Sequence, residues 1–127
     1  MSALGDDAFA ALLGIEVRRQ GAGRATARLT TGADHANPHG TVHGAVFYAV
    51  AGAAIAAAAN DQERSGIISS VLVEYFQPAA PGDELYAEVA PEVSTVREDL
   101  FTGTVRRGAA GDLLAWVRAR GTRRSRG

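Results

Sequence analysis

The chain has no cysteine and no lysine. Without cysteine there is no disulfide, no thiolate nucleophile and no Cys-ligated metal site. A charge excess is missing too. Its basic residues are all arginine, 13 against 14 acids, for a formal net charge of −1. No basic field therefore points to nucleic acid. A bilayer span is also lacking. The longest uncharged apolar run, Gly44 to Ala59, has roughly 16 residues and a helical length of about 24 Å, short of a membrane crossing. The opening MSALGDDAFAALLGI carries early acids and no basic n-region, so no signal peptide is expected. The expected place is the cytoplasm. No linker, internal repeat or low-complexity block interrupts the 127 residues, so one domain, 1–127, is expected. The basic end, 122–127, is expected to fray.

What the chain does have is concentrated in NPHGTVHGAVFYAVAGAAIAAAAN, Asn37 to Asn60. Its first part is a polar loop with two histidines and two glycines. The rest is rich in alanine, which favours helix, and is apolar on every side, which marks a buried helix. At the loop–helix junction, free N–H groups and the helix dipole favour negative charge.

Around this helix the pattern predicts strands. Residues 3–13 read as a short amphipathic helix with Leu4, Phe9, Leu12 and Leu13 as its apolar side, ended by Gly14. Strands are expected over 15–19, 24–30, 67–76, 84–90, 93–106 and 113–120, with a bulge near Gly103. Gln77-Pro78 and Pro81-Gly82-Asp83 are turn signals. Short connections favour an antiparallel sheet, whose apolar face needs the one large apolar helix. This is an α+β arrangement, a sheet wrapped around a long central helix. One sheet covers one side of that helix, so a homodimer, or a dimer of dimers, is expected.

Element order and motif together resemble the hotdog-fold thioesterases, and most closely the phenylacetate-pathway (PaaI-like) branch. The residues that carry the resemblance are Asn37, Gly40-Thr41, His43-Gly44, the helix to Asn60, and the strand Ser70 to Phe76 ending in Gln77-Pro78. The family pattern N-x-x-G-T-x-H-G-G followed by L-A-D becomes NPHGTVHGA followed by YAVAG. The resemblance implies a hotdog fold, an acyl-CoA substrate and no cofactor beyond the coenzyme A of that substrate. It implies that the thioester carbonyl meets the Gly44 N–H, with His43 and Asn37 beside it. Such a donor stabilises the oxyanion of thioester hydrolysis. Gly40, Thr41 and Ala45 are implied neighbours of the substrate. The family's catalytic carboxylate lies eight residues beyond the first glycine, which falls on Gly52. Glycine can be neither base nor nucleophile.

Other residues have readings of their own. Glu74, among Val71, Val73, Tyr75 and Phe76, is an acid that could contact substrate or face solvent. Gly52 in mid-helix also suits close approach of a second subunit. His35 and His39 read as loop residues. With Asp34 and Asn37 they lack a paired-histidine spacing, so no metal is assigned. Arg106, Arg107, Arg118 and Arg120 could meet CoA phosphates or simply solubilise. Three functions follow: a thioesterase with a reduced catalytic set, a non-catalytic acyl-thioester binder, and a hotdog hydratase. The last rests on Asp34-His35-Ala36-Asn37-Pro38-His39, which is similar to that branch's D-x-N-P-x-H run.

Overall fold

The computed structural model describes residues 7–61 and 64–124. The elements are α1 (Ala8–Leu13), β1 (Glu16–Gly21), β2 (Arg24–Thr30), a 3-10 turn (Ala33–His35), α2 (Gly44–Ala59), β3 (Gly66–Tyr75), β4 (Glu84–Ser94), β5 (Glu98–Arg107) and β6 (Leu113–Arg123). The six strands form one antiparallel sheet in the order β1-β2-β4-β5-β6-β3. This is the expected hotdog architecture.

Register explains how the sheet holds α2. Ala25 pairs with Val89, Val89 with Gly103, Gly103 with Val117 and Val117 with Val73. These residues share one face, and alternation sends their neighbours to the other. Small residues such as Ala25, Ala27, Ala87, Ala115 and Ala119 let the strands close in on the helix, which contributes Val50, Ala51, Ala54, Ile55 and Ala58 to the same buried core. The ladder is regular at Gly103 itself, and the register shifts nearby, between Val105 and Arg106, and again between Pro91 and Val93. Glycine is needed at 103 because a Cβ would run into the Glu88 carbonyl.

Three expectations are corrected. The strand expected over 93–106 is divided between β4 and β5, since Thr95 to Arg97 form their hairpin turn, closed by Thr95 N–H to the Glu98 carbonyl at 2.8 Å. The end expected to fray is strand through Arg123, because the Arg123 guanidinium pairs with buried Asp99 at 2.6 Å. In α1 it is Ala10 that is buried, whereas Phe9 and Leu12 are 61% and 79% exposed. That helix has only six residues, and its Asp7 cap turns Ala10 inward. The expected helix start, including Leu4, and the last three residues of the tail lie outside the described residues.

Both ends of α2 are tied to β3. At the C-terminal end, the Asn60 amide exchanges two hydrogen bonds with the Gly66 backbone, each 3.1 Å, and donates to the Ala56 carbonyl. At the N-terminal end, the Tyr75 hydroxyl donates to the Gly44 carbonyl at 2.8 Å.

Candidate active site at the start of the central helix

The loop before α2 is closed by its own polar side chains. Asn37 Oδ1 accepts from the His39 and Thr41 N–H groups, and Asn37 Nδ2 donates to Thr41 Oγ1 at 2.8 Å. The Asn37 oxygen is thus occupied by the turn, and one amide proton remains beyond it. His35 Nδ1 accepts from Gly32 N–H, and its carbonyl accepts from His43 N–H. The loop enters the helix at a fixed angle for these reasons.

His43 is the helix cap. Its Nδ1 accepts from Ala45 N–H at 3.0 Å. A neutral imidazole with Nδ1 as acceptor carries its proton on Nε2. His43 therefore presents an N–H donor to the exterior and has no free basic nitrogen. One residue on, Gly44 N–H has no hydrogen-bond partner among the described residues, as the first turn of a helix allows.

Gly44 lines an open groove of about 320 Å³ together with Val42, Phe47, Tyr75, Phe76, Gln77 and Pro78. The far wall is pinned from behind. Val42 N–H donates to the Ala79 carbonyl at 2.8 Å, Gln77 N–H donates to the Leu114 carbonyl at 3.2 Å, and Arg107 donates to the Pro78 carbonyl at 3.1 Å. Arg107 also pairs with Asp83 and Asp112. Asp83 is held below the usual carboxylate range by the Ala80 N–H and then by Arg107. Phe47 and Tyr75 meet edge to face, with ring centroids 5.5 Å apart.

The structure thus gathers some of the sequence candidates and not others. Gly44 is in the groove wall and His43 caps its helix. Asn37, Gly40, Thr41 and Ala45 sit in or beside the entry loop and are not part of that wall. Gly52 lies two turns along the helix, where an added Cβ would meet nothing within 4 Å. Glu74 is not brought to the groove. It is exposed and pairs with Trp116, on the sheet face opposite Tyr75. Asp34 and His35 do not line the groove either. Arg106 donates to the Gly111 carbonyl, Arg118 lies over the Trp116 ring and Arg120 pairs with Glu98, so these arginines are engaged elsewhere. Among the described residues, no three His, Asp or Glu side chains are grouped to hold a metal ion, and no helix is long and apolar enough to cross a membrane.

Sequence reasoning missed Phe47, Tyr75 and Gln77 as lining residues. The signal was available for Tyr75, which shares the inward parity of Val71 and Val73, whereas Glu74 has the opposite one.

Residues 39–95 match the family model described as Thioesterase superfamily. The TT0310 protein from Thermus thermophilus is 29% identical, with 94% of this chain and 100% of that one covered, at a TM-score of 0.87. An asparagine-to-aspartate mutant of the phenylacetic acid degradation protein PaaI from the same organism is also 29% identical, covering 93% and 100%, at a TM-score of 0.86. A hypothetical thioesterase from Streptococcus pneumoniae, solved with coenzyme A, shares the fold at 10% identity and a TM-score of 0.79, covering 88% of this chain and 87% of that one. No curated protein matches the chain by sequence.

Proposed function

Because the chain is a hotdog-fold member of the thioesterase superfamily with PaaI-like structural relatives, we propose that it hydrolyses an acyl-CoA thioester at the N-terminus of α2. The observation that carries this reading is that Gly44, whose N–H has no partner among the described residues, lines an apolar groove. An acyl group lies along Phe47, Phe76 and Pro78, and its carbonyl oxygen receives the Gly44 N–H. Water adds to the carbonyl carbon, the oxyanion is held by that N–H and the helix dipole, and the C–S bond breaks as a proton of the added water passes to the leaving sulfur, releasing coenzyme A as the thiol and the carboxylic acid. No cofactor beyond the coenzyme A of the substrate takes part.

The weak point of the site is its base. Position 52 is the vacated carboxylate position, and Glu74 is on the wrong face. The attacking water is left with hydrogen bonds from His43 Nε2–H and the spare Asn37 amide proton, so intrinsic turnover is slow. The site is completed by a second subunit. β3 is an edge strand with no proline and one charge, Glu74, the kind of edge that pairs with another copy. Tyr48, Leu72 and Phe76 add exposed apolar surface on α2, on β3 and just beyond it.

A second reading has an observation of its own. Among the described residues, the groove lining contains no carboxylate, which suits a protein that binds acyl-CoA without cleaving it. One experiment separates the two: thioesterase assays over short, medium and aromatic acyl-CoAs, with binding measured in parallel. Turnover that falls on removing the Asn37 amide in Asn37→Ala supports the hydrolase. Saturable binding without turnover supports the binder, and neither binding nor turnover overturns both.

A further inference from the structure

We propose that Tyr75 is a positioning residue of this site, holding the first turn of α2 so that the Gly44 N–H stays aimed into the groove. The proposal rests on the reading of that groove as the acyl-thioester site. Tyr75 is the last residue of β3, and its hydroxyl donates to the Gly44 carbonyl at 2.8 Å. The ring fills the space a side chain at 44 would occupy, since a Cβ there would lie 3.3 Å from the hydroxyl oxygen. A side chain at 44 would make Tyr75 give by a few tenths of an ångström, and both backbone polar atoms of Gly44 are assigned. Its carbonyl is held by Tyr75, and its N–H is left for a ligand.

The orientation of the phenol is itself constrained. Phe47, one turn along α2, meets the ring edge to face at an interplanar angle of 67°. Burial raises the Tyr75 pKa above its ordinary value, so the hydroxyl keeps its proton and remains a donor. A purely structural tether would belong at the other end of the helix, where the Asn60 side chain already makes three hydrogen bonds at the junction of α2 and β3. The Tyr75 bond is half-exposed in the groove wall, where it controls an angle more than it controls folding. Small displacements of a donor from the reacting oxygen have large effects on rate.

Tyr75→Phe keeps the ring and its contact with Phe47 and removes only the hydroxyl. The expected result is a fall in kcat of about tenfold to a hundredfold with KM changed by less than about twofold, the signature of an interaction that matters in the transition state. A second readout does not depend on turnover. An acyl-CoA analogue in which methylene replaces the sulfur keeps the carbonyl, and its binding shifts the Gly44 amide resonance in the wild type. In Tyr75→Phe that shift shrinks while the resonances of β1 and β2 stay as they were. Wild-type kcat together with an unchanged Gly44 shift overturns the proposal, as does a loss of turnover that only tracks the folded fraction. A wild type that hydrolyses no acyl-CoA overturns the hydrolase reading alone, and the ligand-induced Gly44 shift still decides on Tyr75.

Discussion

Gly44 and Gly52 are both glycines of α2, and the structure gives them opposite reasons. At 44 a Cβ would press on Tyr75 at 3.3 Å, whereas at 52 it would meet nothing within 4 Å. Packing within the chain therefore does not require glycine at 52, where it costs about 1 kcal/mol relative to alanine. Within one chain, the Cβ of a substituted residue is accommodated there. If 52 is the vacated carboxylate position, Gly52→Asp restores a base to a site whose described groove lining holds no carboxylate. A positioned acid–base group contributes roughly 10²–10⁴-fold, so hydrolysis is expected to rise within that range. The gain should increase with pH through the pKa of the new carboxylate, because only its ionised form accepts a proton. Partial burial raises that pKa and lowers stability. A pH–rate profile of Gly52→Asp beside wild type checks this. A folded variant that binds acyl-CoA and gains nothing at any pH would remove position 52 from the mechanism.

At the scale of elements, the ends of β4, β5 and β6 meet in a buried ionic cluster. Asp99, 2% exposed, accepts from Arg123 at 2.6 and 2.9 Å and from Ser94 Oγ at 2.7 Å, with Arg64 at 3.7 Å. Arg123, and then Ser94, hold the Asp99 carboxyl below its ordinary value against the opposing effect of burial. A pKa depressed in the fold gives stability that is complete above the unfolded value of about 3.9 and is lost as pH falls through the lower folded value. Asp99→Asn should cost about 3 kcal/mol near neutral pH. The difference between variant and wild type should shrink on going to about pH 3. Urea unfolding at the two pH values tests this, and a constant difference would refute it. The cluster also marks where sequence reading ends. The bounds of α2, the six strands and the HG loop were legible because they rest on local composition and alternation. The extension of β6 to Arg123 was not, because a pair 24 residues apart decides it, and the division of β4 from β5 rests on the Thr95–Glu98 turn bond, which alternation alone does not mark. Asn37 was legible as a loop residue, but the bonds that occupy its oxygen are not a matter of composition. Tyr75 could be placed on its face by parity, yet its hydrogen bond to Gly44 spans 31 residues.

For the molecule as a whole, the distance between Gly44 and Gly52 decides what kind of site is possible. Eight residues of helix rise about 12 Å, further than a carboxylate side chain reaches back along its own helix. A carboxylate at 52 can therefore serve the Gly44 N–H of a second copy whose α2 runs antiparallel, and not that of its own chain. The exposed stripe of α2 suits this approach. Ala45, Tyr48, Ala49, Gly52 and Ala56 are the positions it leaves open, and four of the five are small. Tyr48 is 49% exposed within a single chain. Close packing of two such stripes would continue the sheet across the free edge of β3. Light scattering should thus find a dimer, or a dimer of dimers, at micromolar concentration. Tyr48→Arg places a charge in that contact without touching the groove, and should shift the population toward monomer while reducing acyl-CoA turnover in the same proportion. In the Gly52→Asp background the same substitution should abolish the added activity altogether. A wild type that stays monomeric, or a monomeric Tyr48→Arg protein with undiminished turnover, would mean that one chain carries the whole site and that the open face of α2 serves some other contact.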